Sequence, residues 1–81
     1  MPYIDKDRRK ELANGDGPMN AGELNYLFTM LALRYLHDRG ERYQHYNDII
    51  GALEGCKLEL YRRRIAEYED SKIKSNGDAY D

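Results

Sequence analysis

Two cations occupy positions where a helix should carry apolar side chains. Lys57 and Arg64 are seven residues apart, with Tyr61 and Tyr68 beside them. Turning about 100° per residue from Asn47, the residues Tyr46, Ile49, Ile50, Leu53, Cys56 and Leu60 fall between roughly 180° and 300°. Lys57 and Arg64 fall at about 280° and 260°, inside that stripe. Charges buried on such a face cost free energy unless they are paired. Two readings follow. In the structural one, the long stems cover apolar surface and the heads reach water or an acid, Glu54 being the nearest to Lys57. In the functional one, Lys57 and Arg64 hold a phosphate-like anion while Tyr61 or Tyr26 stacks on a base. In an oligomer that site would form between chains.

Other chemistry has weaker support. Arg62-Arg63-Arg64 resembles a nucleic-acid signature, but Glu59 precedes Arg63 by four residues and Glu67 follows it by four. That spacing makes an exposed ion-pair ladder. Magnesium needs several converging carboxylates. Glu23 stands alone, Glu54 and Glu59 lie on different faces, and Glu67-x-x-Asp70 has no second acidic cluster to accompany it. Ser71, Ser75 and Thr29 lack a local base, and His37 and His45 read as solvent-facing. One cysteine and two histidines cannot assemble a zinc set. No cofactor or metal is expected, and the chain does not read as an enzyme.

Composition narrows the partners. The chain has 81 residues and a net charge of −2, whereas duplex nucleic-acid binding normally shows a basic excess. Cys56 is the only cysteine and lies in the apolar stripe, which fits a buried thiol in a reducing cytoplasm. No signal layout and no membrane-length apolar run is present. There are eight tyrosines, one phenylalanine and no tryptophan, a balance suited to wet cores, interfaces and pockets.

The elements that would position these groups are helical. Charged helix formers from Asp5 to Ala13 predict a short first helix, ended by Asn14-Gly15-Asp16-Gly17-Pro18. Asn20 caps a second helix, Glu23 sits where a capping box needs it, and Gly40 is the expected stop. Leu24, Leu27, Phe28, Leu31, Ala32, Tyr35 and Leu36 make its main apolar row; Tyr26, Met30 and Leu33 make a second, so burial on two sides is expected. The third helix should run from about Tyr46 to Ile73, roughly 40 Å, past a body only about 30 Å across. Its stripe drifts toward Tyr61, Ile65 and Tyr68, at about 300° to 360°, as if its two halves met different partners. Gly51 and Gly55 share a face and let another backbone approach.

The strings Gly22-Glu23-Leu24-Asn25-Tyr26, Arg34-Tyr35-Leu36, Asn47-Asp48-Ile49-Ile50-Gly51, Tyr61-Arg62-Arg63 and Tyr68-Glu69-Asp70-x-Lys72-Ile73-x-x-Asn76-Gly77-Asp78 resemble a family of short phage and bacterial proteins of unknown function. The resemblance covers residues 20 to 80. It implies a phage or prophage context and no particular activity. It highlights Glu23, Asn25, Tyr26, Asn47, Glu54, Lys57, Tyr61 and Arg62. Asn47, Gly51, Glu54 and Tyr61 form one strip beside Lys57, which suits either a pocket lining or a hydrogen-bonded helix contact. Tyr80 could latch onto another subunit or fray.

The expected fold is all-α: two long antiparallel helices and a short N-terminal helix, assembling into a homo-oligomer through the third helix. Residues 1–19 form the arm, 20–40 the second helix, 45–74 the third and 75–81 the tail. The expected function is non-catalytic binding in the host cytoplasm. It would sequester a nucleotide-type or other anionic molecule at an inter-subunit site lined by Lys57, Tyr61, Arg64, Glu54, Tyr26 and Asn47. The alternative is a protein–protein inhibitor or adaptor acting on a host factor. A magnesium-dependent nucleotide pyrophosphohydrolase is a minor one. Neither duplex nucleic acid nor a membrane is an expected partner.

Overall fold

A computed structural model describes residues 3–80. The outermost residues of the expected arm and tail, Met1, Pro2 and Asp81, lie outside the described residues. The chain is all-α, with no strand among the described residues. Its elements are α1 (Lys6–Ala13), α2 (Ala21–Arg39), α3 (Tyr43–Leu60), a π-helical turn (Tyr61–Ile65) and α4 (Ala66–Asn76). The chain divides into two units, Met1–Tyr46 and Asn47–Asp81.

In the first unit a guanidinium does much of what a core would do. Arg8 on α1 donates to Glu23 Oε1 at 2.8 Å, Asp16 Oδ2 at 3.1 Å, the Gly17 carbonyl at 3.0 Å and, more weakly, Glu11 Oε1 at 3.4 Å. The planar fork of arginine can serve several acceptors at once. One side chain therefore ties α1, the turn and the start of α2. The Arg8 and Glu23 side chains are only 19% and 12% exposed. The buried side chains among the described residues are Leu12 at 4% exposure and Leu36 at 8%.

α2 starts and stops where its sequence says. Asn20, in extended conformation, accepts the Glu23 N–H at 2.9 Å. The return bond of a capping box goes one residue further back, from the Met19 N–H to Glu23 Oε1 at 3.0 Å. Gly40 ends the helix at φ 97°, a conformation that only glycine adopts cheaply. Burial on two sides is not seen within the chain: Leu24, Phe28, Leu31, Met30 and Leu33 are all exposed.

α3 begins earlier than its apolar pattern suggests. The His45 Nδ1–H donates to the Gly40 carbonyl at 2.8 Å, and its ring meets Tyr35 edge-on at 5.9 Å. The Tyr46 hydroxyl reaches Glu41 at 2.5 Å. These contacts give the first turn partners that hydrophobic spacing does not report. His45 is thus half-buried and structural, not solvent-facing.

In the second unit the helical path continues through the π turn and α4 to Asn76, where Gly77 (φ 87°) donates to the Ile73 carbonyl at 2.8 Å. Within this unit, from Asn47 to Asn76, the path spans about 45 Å. Cys56 is exposed, contrary to the expected buried thiol, because the apolar side of its helix carries no cover. From Gly51 to Tyr80, Ala66 alone among the described residues is not exposed.

Two outcomes follow for the first unit. Replacing Asn20 with Ala leaves the Glu23 N–H without its acceptor and should cost about 1 kcal/mol in denaturant unfolding. The Glu23 carboxyl lies below the usual carboxylate range, first because Arg8 donates to it and then because Met19 N–H does. A carboxyl lowered in the folded state stabilises that state above its ordinary pKa, and this is lost as pH falls through the lowered value. The unfolding midpoint should therefore drop on acidification below the ordinary carboxylate range. Glu23→Gln should lower the midpoint at neutral pH and flatten that acid limb; an unchanged limb would count against the hub.

Candidate functional site

The strongest geometric feature of the second unit is the π turn itself. The Ala66 N–H reaches back to the Tyr61 carbonyl, a five-residue span where an α-helix spans four. One extra residue is thereby accommodated, and everything beyond it is set back by about 100°. Tyr68 moves from about 300° to about 200°, and Ile65 from about 360° to about 260°. Both rejoin the stripe of Ile49, Leu53 and Leu60. The drift seen in the sequence is corrected by the backbone.

An independent contact supports the setback. The Tyr61 hydroxyl donates to Glu69 Oε1 at 2.7 Å across eight residues. Two turns of an uninterrupted α-helix bring residues seven apart into line, so this pair meets because a residue has been inserted between them. Glu69 was not among the expected site residues. The π turn is the feature that sequence reasoning missed, and the drifting stripe was its only signal.

The six expected ligand residues are placed as follows. Lys57 Nζ lies 3.5 Å from Glu54 Oε1, on a side chain 71% exposed. That is the structural reading of Lys57, an exposed i,i+3 pair worth a few tenths of a kcal/mol. Tyr61 joins Glu69. Arg64, on the π turn, is exposed and makes no ion pair among the described residues, whereas Arg62 and Arg63 both bond Glu59, at 3.1 and 2.7 Å. Asn47 is exposed near the start of α3, and Tyr26 is half-buried on α2 in the first unit. Within the second unit Glu54 and Lys57 are brought together, whereas Tyr61 is held by Glu69.

The hydroxyls of Thr29, Ser71 and Ser75 donate to the carbonyls of Asn25, Tyr68 and Lys72. Such bonds hold the hydroxyl along its own helix. No group of three His, Cys, Asp or Glu side chains converges as metal ligands among the described residues. An open groove in the first unit is lined by Leu33, Leu36, His37, Gly40 and Glu41, away from the expected ligand residues in sequence. No described helix is long and apolar enough to cross a membrane.

Residues 1–79 match a family described as a domain of unknown function, DUF6899. The chain belongs to this family. Neither a curated protein nor a solved structure matches it. Family membership thus agrees with the uncharacterised family expected from the sequence strings and carries no activity with it.

The Tyr61 phenol lies above the usual tyrosine range, first because it donates to Glu69 and then because that carboxylate's charge opposes ionisation. Tyr46 is raised in the same way by Glu41. Ultraviolet titration should show a late tyrosine component to which Tyr61 and Tyr46 contribute, with helicity declining as pH rises through that late step. Tyr61→Phe should diminish that late component; a late component of unchanged size would contradict the Tyr61–Glu69 bond.

Proposed function

We propose that this chain is a non-catalytic binding protein that works through the apolar face of the helical segment of its second unit, from Asn47 to Asn76, in an assembly of more than one copy. One observation carries this reading: Ile50, Leu53, Leu60, Ile65, Tyr68 and Ile73 are all exposed on a single helical run. Apolar side chains contribute to stability only when removed from water, and isolated helices are marginal without a packed face. Large contiguous apolar patches mark interaction surfaces. The face therefore requires protein to cover it.

A second reading places a nucleotide-type or other anionic molecule at the assembled face. Arg64 favours it, because its guanidinium has no acid partner among the described residues while its neighbours Arg62 and Arg63 both do. Arginine without an acid, three residues after Tyr61 in the sequence, suits a phosphate and a base. The resemblance to short phage proteins favours capture of a host molecule over metabolism. In the alternative of a protein inhibitor or adaptor, a host factor would take the same surface.

Association makes the melting temperature depend on concentration. The melting temperature of the wild-type chain should rise with protein concentration, and Leu53→Asp should abolish that rise and yield monomers in sedimentation. A concentration-independent, well-folded wild-type monomer would end this reading. The anion reading predicts that one of a panel of cyclic and linear nucleotides raises the melting temperature. That shift should disappear in Lys57→Ala and Arg64→Ala variants that still assemble.

A further inference from the structure

We infer that the hydrogen bond from Tyr61 to Glu69 is a latch that holds the π turn, and that opening it returns residues 61 to 65 to ordinary α-helix. The latch thereby sets the rotational register of α4. Its consequence for binding rests on the reading above; the latch itself does not.

π turns are rare, and where one persists some interaction favours the inserted residue over the α register. Packing does not supply it here, because all five residues of the turn are exposed. The side-chain contacts of this unit sort by register. The Lys57–Glu54 pair lies wholly before the turn. The Ser71 bond to the Tyr68 carbonyl and the Lys72 ammonium, 5.5 Å from the Tyr68 ring centre, lie wholly beyond it and turn with α4 as one body. Glu59 holds Arg62 and Arg63 three and four residues on, spacings that an α-helix serves equally well.

The Tyr61–Glu69 bond differs from these because it crosses the turn. Residues eight apart on an uninterrupted α-helix stand about 80° out of line, and the inserted residue reduces this to about 20°. The bond therefore forms in one register and breaks in the other. A hydrogen bond to a charged acceptor is enough to shift a two-register population by roughly tenfold or more.

The exposed face depends on which register holds. With the latch closed, Ile65 and Tyr68 lie at about 260° and 200°, beside Leu53 and Leu60 at about 240° and 220°. With it open they return to about 360° and 300°, and the apolar stripe splits. Tyr61 and Glu69 are thus positioning residues for a face they do not themselves form.

The test reads the backbone of the full chain, labelled with carbon-13 and nitrogen-15, by nuclear magnetic resonance. Scalar coupling through the hydrogen bond should link the Ala66 amide nitrogen to the Tyr61 carbonyl in the wild type. In Tyr61→Phe and in Glu69→Ala it should link Ala66 to the Arg62 carbonyl instead, with helicity unchanged by circular dichroism. Glu69→Gln keeps an acceptor oxygen and should keep the wild-type pattern. Ala66 remaining on the Tyr61 carbonyl in Tyr61→Phe or Glu69→Ala would overturn the latch, as would Glu69→Gln behaving like Glu69→Ala. Loss of helicity in these variants would also overturn it, since the bond would then hold the helix and not its register. A wild-type monomer with the expected coupling would end the binding reading and leave the latch standing. Concentration-dependent melting with the coupling unmoved in the variants would do the reverse.

Discussion

A helix that shows its apolar side to water gains almost nothing from those side chains, and that constraint governs the second unit. Burial stabilises by about 25 cal/mol for each Å² removed from water, so exposed Leu53, Leu60 and Tyr68 contribute little where they stand. The ion pairs along the same helix, Lys57–Glu54 and Arg63–Glu59, offset only a few tenths of a kcal/mol each. Such terms favour a helical segment but do not fold it alone. What the segment does and what stabilises it are then the same question, because both are answered by whatever lies on its apolar side.

The first unit meets the small-core problem differently. Below about 70 to 80 residues, a hydrophobic core rarely suffices without a staple. Here the staple is polar: Arg8 gathers Asp16, the Gly17 carbonyl and Glu23, while Glu23 also accepts the Met19 N–H that precedes α2. Removing one partner of such a hub leaves several half-buried polar groups short of hydrogen bonds, so its parts act as a unit. Leu12 and Leu36, the two buried side chains, are too few to hold the unit by burial alone.

Local chemistry was legible in the sequence; contacts made through turns and backbone irregularities were not. Asn20 and Gly40 bound α2 within a residue because caps and positive-φ glycines act through neighbouring backbone. Arg8 stands midway between Ile4 and Leu12, four residues from each, and nothing in the spacing of Asp16 and Glu23 says that a turn will bring both to it. The π turn has no residue signature, only a displaced stripe. That displacement suggested two partners when it in fact marked an inserted residue that restores one face. Cys56 and Leu53 belong to one apolar stripe by their spacing, but periodicity identifies a face and does not tell whether the chain itself covers it, and both are exposed. The Lys57 and Glu54 pair was readable from spacing, while Glu69 was hidden because its reach to Tyr61 exists only across the π turn.

The two readings of Lys57 and Arg64 share a geometric requirement that narrows the choice between them. Seven residues of helix separate them by about 10 Å along the axis. On one exposed helix, cations so placed reach outward side by side and do not converge on a single phosphate. Convergence requires a second surface that closes over the first and excludes water, which is also what strengthens a charge-assisted hydrogen bond. An anion site at these residues would therefore be a property of the assembled face, created by the same contact that covers Leu53 and Tyr68. Under the proposed reading association would come first in either case, and ligand capture would be a use to which the covered face is put.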